Sequence, residues 1–275
     1  MAELTANGIR IHYEAAGEGP PLVLVHGSWV DSSSWAGLVP LLADSFRVVA
    51  YDRRGHSRSE RPAGQGSVRE DADDLGALIE ALDLGPAHVV ASSYGGNIAL
   101  RLATRRPELF QSLTAHEPPM VGVLAGDAEG EALAAAAMGS FEAVARRIAT
   151  GDHAGAARQF VEEVALGPGA WAQFPPVARE LMVHNAPTFL DEFRDPDQGA
   201  VDPDALAEVE VPVLISNGSA GSALFARIAD GVADLIPSAS RATILGAAHA
   251  PHLDVPEGYA ATIRAAALSR IPLPA

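Results

Sequence analysis

The sequence predicts an α/β fold: a mostly parallel sheet with helices on both faces, interrupted once by a helical insertion. Short apolar runs bounded by turn residues, longer stretches of helical period between them, and a regular alternation of the two carry that expectation. Leu22 to Val25 follows Pro20 and Pro21 and stops at Gly27, as a buried strand does. From Ser33 to Asp44, Trp35, Leu38, Leu41 and Leu42 recur on one helical face behind a serine-rich start. Val48 to Tyr51 is a second strand, closed by Asp52-Arg53-Arg54-Gly55, and Val68 to Leu84 is a helix stopped by Gly85-Pro86. A third strand at Val89 to Ser93 runs into a helix, Gly95 to Arg106, and a fourth covers Leu109 to Ala115. Beyond residue 205 the order resumes with strand Val211 to Ser216, helix Ser222 to Leu235, strand Thr243 to Leu245 and helix Pro256 to Ser269.

Residues 120–205 break this alternation. They read as helical pieces with Ala-rich, Trp- and Phe-bearing faces and no convincing strand, so the core is expected at 1–119 and 206–275 with a helical cap at 120–205.

Composition removes several function classes. The chain has 275 residues, and its 19 basic residues, all arginine, stand against 35 acidic ones, a net charge of −16. Nucleic acid and anionic membrane surfaces would repel it. The absence of lysine excludes Schiff-base chemistry and a P-loop, and the absence of cysteine excludes disulfides, thiolate nucleophiles and cysteine-ligated metals. The start of the sequence lacks an apolar leader and no run reaches the ~20 apolar residues of a membrane span, so a cytoplasmic protein without cofactor is expected.

The stretch Val89-Val90-Ala91-Ser92-Ser93-Tyr94-Gly95-Gly96 carries the chemistry. A nucleophile elbow needs small residues two before and two after its serine, because strand and helix approach each other there. Ser93 has Ala91 and Gly95 at those places, whereas Ser92 would have Val90 and Tyr94. After the last strand comes Gly246-Ala247-Ala248-His249-Ala250-Pro251-His252, which sets His249 at the same sheet edge as Ser93, with His252 as rival base. Pro251 argues against a His-x-x-His metal site. Val25-His26-Gly27-Ser28-Trp29 closes the first of these strands, and the backbone N–H groups of Ser28 and Tyr94 are candidate oxyanion donors. His26 reads as structural, Trp29 as a substrate contact beside the oxyanion hole, and Asp52, Arg53, Arg54 and His56 as a hydrogen-bonded loop scaffold.

The order of His-Gly-Ser-Trp, Tyr-Asp-Arg-Arg-Gly-His-Ser, Ala-Ser-Ser-Tyr-Gly-Gly and Gly-Ala-Ala-His resembles the α/β-hydrolase superfamily across nearly the whole chain outside the cap. The resemblance implies an eight-stranded sheet and a Ser-acid-His triad. The family's acid commonly follows the strand that here ends in Ile215-Ser216-Asn217-Gly218-Ser219-Ala220-Gly221, but Gly221 stands where the aspartate is expected. Another strand end offers Glu117, in Thr114-Ala115-His116-Glu117-Pro118. An acid relocated to this strand is similar to haloalkane dehalogenases and, with serine as nucleophile, to zearalenone-type lactonases. Asp254 is the competing acid, close to His249 in sequence but beyond Pro251.

These readings converge on a serine hydrolase of a carboxylic ester or lactone, with Ser93 as nucleophile, His249 as base and Glu117 orienting it. Its substrate is expected to be small and apolar, because the cap carries Met120, Met138, Phe141, Phe160, Trp171, Phe174, Met182, Phe189 and Phe193, although these could equally glue the cap to the core. A non-hydrolytic use of the fold, as lyase, cyclase or small-ligand receptor, is the alternative.

Overall fold

The computed structural model describes residues 2–268 of the chain. Eight strands form one sheet: β1 (Ala2–Ala6), β2 (Ile9–Ala16), β3 (Pro21–Val25), β4 (Arg47–Tyr51), β5 (Ala87–Ser92), β6 (Phe110–His116), β7 (Val213–Gly218) and β8 (Ala239–Ile244). Their order is β1-β2-β4-β3-β5-β6-β7-β8. β1 pairs antiparallel with β2 and β2 with β4, while every other pair is parallel.

Apolar residues alternate between the two faces of the parallel strands, so each face needs its own helices. Val23, Val25, Val89 and Ala91 pack with α2 (Val68–Ala81) and α3 (Tyr94–Arg105) and, further along the sheet, with α9 (Ala223–Leu235). On the other face Leu22, Leu24, Val48 and Val90 meet Trp35, Leu38 and Leu42 from around α1 (Val39–Leu42), and Tyr259 and Ile263 from α11 (Pro256–Leu268). The short α10 (Pro251–Asp254) precedes α11.

The structure departs from the sequence expectation in four places. The hairpin β1–β2 is missing from the expectation because β2 mixes buried and exposed residues without an apolar run, although its Asn7-Gly8 turn, with φ of 46° and 79°, is a hairpin signal. The helix expected over Ser33 to Asp44 is instead a 3-10 turn, Ser32–Trp35, and the single turn α1. Pro40, which lacks an N–H, fits only the first turn of a new helix. β8 covers Ala239–Ile244 rather than Thr243 to Leu245; as an edge strand it carries polar Ser240 and Arg241, and Leu245 is 79% exposed. The helix expected to reach Leu84 ends at Ala81. Ser269, the expected end of the last helix, and the rest of 269–275 lie outside the described residues.

Between β6 and β7 the chain forms α4 (Ala128–Ala149), α5 (His153–Gln159) running into a π-helical segment Phe160–Ala165, α6 (Ala170–Gln173), α7 (Pro176–Arg194) and α8 (Pro203–Ala207). α7 ties this insertion to the loops at the C-terminal ends of β3 and β4. The Asn185 amide, fully buried, donates to the carbonyls of Trp29 and Val30 at 3.3 Å and accepts from the Ser57 N–H at 2.9 Å. Thr188 Oγ1 meets His56 Nε2 at 3.0 Å, and Asp195 accepts the N–H of Val68 at 2.6 Å. At the centre Arg53, 1% exposed, places Nε and Nη2 on Asp71 at 3.0 and 3.1 Å, and Nη1 and Nη2 on Glu192 Oε1 of α7 at 3.0 and 2.9 Å. Around it Asp52 is bound by Arg58 and the Ser32 N–H, and Arg54 by Asp74 and Glu70. Among the described residues no helix is long and apolar enough to cross a membrane.

Arg53→Met leaves Asp71 and Glu192 buried without their cation, so urea denaturation is expected to show a loss of about 3–5 kcal/mol; a loss below about 1 kcal/mol would show the cluster to be dispensable. Burial holds His26 and His116 at a pKa of about 4 and His252 at about 3, and pushes His56 well below its ordinary value. The unfolded chain takes up these protons near pH 6.5 and the folded one only near 4 or below, so their contribution is complete above about 6.5 and lost as pH falls toward 4. Each histidine contributes a slope of up to about 1.4 kcal/mol per pH unit, and the melting temperature is therefore expected to fall steadily between pH 6.5 and 4.5. A flat profile there would contradict it.

Candidate active site

Ser93 occupies a one-residue turn between β5 and α3. Its φ of 53° and ψ of −126° lie outside the regions favoured by L-residues, a strain of about 1–3 kcal/mol that surrounding packing must hold. The neighbours are small because the backbones touch. A Cβ on Gly95 would lie 2.4 Å from the Val25 carbonyl oxygen, and one on Gly27 would lie 2.9 Å from the Ser93 Cβ. Ser92 remains in the strand and buried, and the Ser93 side chain makes no capping bond to α3. Its N–H is spent on the His116 carbonyl at 2.8 Å.

The loop after β3 is held by the carbonyl of Gly27, which accepts from His26 Nδ1 at 2.8 Å and from Arg53 Nη1 at 3.2 Å. A trans peptide is planar, so fixing this carbonyl turns the N–H of Ser28 the opposite way. His26 Nε2 accepts the Arg53 N–H at 2.9 Å, which completes a structural role for this histidine. Tyr94 is the first residue of α3, where the N–H has no intrahelical acceptor, and its ring lies under the Arg53 guanidinium at 4.6 Å.

His249 stands on the loop after β8, stacked on Phe225 with ring centroids 4.5 Å apart. Its Nδ1 is 2.5 Å from Glu117 Oε2. A carboxylate only accepts, so Nδ1 carries the proton, and in the neutral form of the ring Nε2 keeps its lone pair. Glu117 is fully buried at the end of β6, in a left-handed conformation with φ of 45°, and its Oε1 accepts the Gly218 N–H at 3.0 Å. Burial would push this carboxyl up, but the hydrogen bond and charge of His249 outweigh it and hold the group below its ordinary value. A Cβ on Gly221 would lie 2.8 Å from Glu117 Oε1, so the carboxylate fills the space that a side chain at 221 would need.

The rival residues are elsewhere. Asp254 is exposed and accepts the Ala248 N–H at 2.8 Å rather than meeting the His249 ring. His252 is buried with its ring 4.4 Å from that of Trp35.

Ser28, Ser93, Tyr94 and His249 line one cavity. Its walls are mostly apolar and include Phe141, Phe160, Phe189 and Phe193 of the insertion. Trp29 does not line it: in a left-handed backbone and 0% exposed, Trp29 backs the wall against Phe160 and Phe189, each at 5.0 Å. The substrate contact expected of Trp29 is therefore corrected to a supporting one, since its ring is sealed beneath these phenylalanines. Of the other insertion residues, Met182, Trp171 and Phe174 pack within the insertion, Met120 joins the main core and Met138 is exposed.

The sequence reading missed Phe225, Gln198 and Glu192, which also line the cavity. The helical period of α9 sets Phe225 with buried Ile228 and Val232, a usable signal. Nothing in Asp191-Glu192 tells which acid is buried; Asp191 turns outward to Arg61 while Glu192 turns in to Arg53.

Comparison with known proteins adds to this geometry. YraK of Bacillus subtilis, an uncharacterized hydrolase, is 37% identical over 126 residues, 45% of this chain and 46% of that protein. The 2-hydroxymuconate semialdehyde hydrolase of Pseudomonas sp. (strain CF600) is 40% identical over 115 residues, 40% of this chain and 41% of that one. The matched region spans less than half the length of these curated relatives. The enol-lactonase from Burkholderia xenovorans LB400 shares the fold, with a TM-score of 0.79 at 22% identity over 98% of this chain and 100% of that one. Residues 22–262 match the alpha/beta hydrolase family, and the chain belongs to that family.

Proposed function

We propose that the chain is a serine hydrolase of small, apolar carboxylic esters or lactones, with the helical insertion as a cap over its site. The observation that carries this reading is the strained Ser93 turn sharing one cavity with a histidine whose far nitrogen is held by a buried carboxylate. His249 Nε2 takes the Ser93 proton as Oγ attacks the carbonyl carbon, and the Ser28 and Tyr94 N–H groups receive the developing oxyanion. Collapse of the tetrahedral adduct breaks the ester bond, and His249 returns the proton to the leaving alcohol oxygen. Water, deprotonated by the same nitrogen, then releases the acid and restores Ser93. Glu117 fixes the tautomer and stabilises the imidazolium that forms twice per turnover.

The named activity of the enol-lactonase is compatible with this chemistry. The acid on β6 is the feature that the proposal shares with zearalenone-type lactonases.

Incubation with a fluorophosphonate probe is expected to label Ser93, and a panel of short-chain nitrophenyl esters and lactones to be turned over. Folded protein that neither labels at Ser93 nor hydrolyses any member refutes the reading. Glu117→Gln is expected to lower kcat by roughly 10²- to 10⁴-fold with little change in KM, while Asp254→Asn stays within about threefold of the parent. The reverse pattern would transfer the acid's role to Asp254.

A further inference from the structure

The direction of the Ser28 N–H is set by the Gly27-Ser28 peptide, and that peptide has little of its own to hold it. Gly27 carries no side chain and its backbone torsions are permissive, so the peptide keeps one orientation only if groups outside the loop grip it. Both of its ends are gripped. On the Gly27 side the carbonyl accepts from His26 Nδ1 at 2.8 Å and from Arg53 Nη1 at 3.2 Å. On the Ser28 side the hydroxyl donates to the Glu192 carboxyl. The two grips meet in one ion pair, because Arg53 Nη1 has a second hydrogen and gives it to Glu192 Oε1 at 3.0 Å.

Glu192 is the one acidic side chain among the residues lining the catalytic cavity, and it comes from α7 of the insertion, whereas Ser28 follows β3 and Arg53 follows β4. Anchoring the insertion accounts for its bonds to Arg53, a cation that Asp71 already holds through Nε and Nη2. The bond from Ser28 goes further, since it ties a side chain of the insertion to the residue that carries a proposed oxyanion donor. The same guanidinium lies 4.6 Å from the centre of the Tyr94 ring, so the residue with the other proposed donor also touches the pair. A bare carboxylate beside a developing oxyanion would oppose it, but the guanidinium bonded to this one offsets its charge.

Resting on the hydrolase reading above, we propose that Glu192 is a positioning residue for the oxyanion hole: its carboxylate, held by Arg53, fixes the Ser28 hydroxyl and with it the angle at which the Ser28 N–H meets the developing oxyanion. The insertion then supplies more than an apolar wall, because the loop after β3 reaches its working geometry only with α7 in place. An aligned N–H strengthens its hydrogen bond as the carbonyl oxygen gains charge, so loss of alignment falls on the transition state and spares ground-state binding.

Glu192→Gln keeps an oxygen for Arg53 and puts an amide NH2 in place of the other; Ser28→Ala keeps the N–H and removes the hydroxyl. Activity is read per active site, counted by complete fluorophosphonate labelling of Ser93, on whichever ester or lactone of the panel above turns over fastest. Glu192→Gln is expected to lower kcat about 10- to 100-fold with KM within about threefold, somewhat less than the roughly 10²- to 10³-fold cost of deleting a whole oxyanion donor. Ser93 Oγ adds to the carbonyl carbon of the trifluoromethyl ketone with the same acyl chain, His249 takes the proton and the ketone oxygen becomes an anion. This ketone is expected to bind more weakly by a factor similar to the kcat loss, while the methyl ketone, which stays neutral, holds within about threefold. Ser28→Ala is expected to show the same pattern at about 5- to 30-fold, and Glu192→Gln added to it to cost at least about threefold less than in the parent. Should Glu192→Gln fail to fold, kcat and the two ketones in Ser28→Ala decide. A kcat within about threefold of the parent in either folded variant overturns the proposal, as do equal weakening of both ketones and fully additive losses; a parent protein that labels at Ser93 and turns over a panel member then leaves the hydrolase reading standing. A parent protein that neither labels nor turns over any member of the panel removes both.

Discussion

The site depends on how closely three backbones approach where β5 gives way to α3. β3 and β5 are adjacent parallel strands, and α3 must leave the end of β5 within a single residue to pack on the face it shares with α2. Only a left-handed residue makes that turn, and only small residues let it pass: a side chain at 27 would meet Ser93, and one at 95 the Val25 and His26 carbonyls. The packing of Ile98, Ala99 and Leu102 in the main core holds the strained residue in place. Because the turn is so tight, the Ser93 hydroxyl escapes helix capping and the Tyr94 N–H is left at a helix start without an internal acceptor.

Arg53 extends this constraint to the insertion. Its guanidinium touches the Gly27 carbonyl, Asp71 on α2, Glu192 on α7 and the face of the Tyr94 ring. A buried cation shared between two carboxylates contributes little net stability compared with apolar packing, but it tolerates only one geometry. The position of α7 is therefore coupled to the orientation of the Gly27-Ser28 peptide, and the wall of the cavity to its floor. A change in how the insertion sits would be felt first at this peptide.

How much of this was legible in the sequence depends on whether the signal was local. The five inner parallel strands, β3 to β7, could be read because a strand covered on both faces becomes an apolar run, as in Leu22 to Val25. β2 could not be read that way, since its exposed positions carry Arg10 and Glu14 and only its turn announces a hairpin. Ser93 was legible through the sizes of its neighbours, which record the backbone contact directly. Trp29 shows the limit of such a signal: adjacency in sequence to the loop after β3 does not bring its ring to the cavity, because its left-handed backbone directs the indole under Phe160 and Phe189. Glu192 was illegible because burial of one acid in an acidic pair is decided by Arg53, 139 residues away.

Gly221 and Glu117 are best understood together. β6 and β7 pair in parallel with His116 opposite Ser216, so both strands deliver their next residues to the same sheet edge. Glu117 continues that pairing, its N–H on the Ser216 carbonyl, and its side chain then reaches across to the Gly218 N–H and the His249 ring. The carboxylate comes to rest where the side chain of residue 221 would be, and an aspartate there would bring a second negative charge into the same buried slot. The glycine after β7 and the buried carboxylate after β6 are thus one arrangement: a single carboxylate fits beside His249, and the absence of a side chain at 221 leaves the space that the Glu117 carboxylate fills.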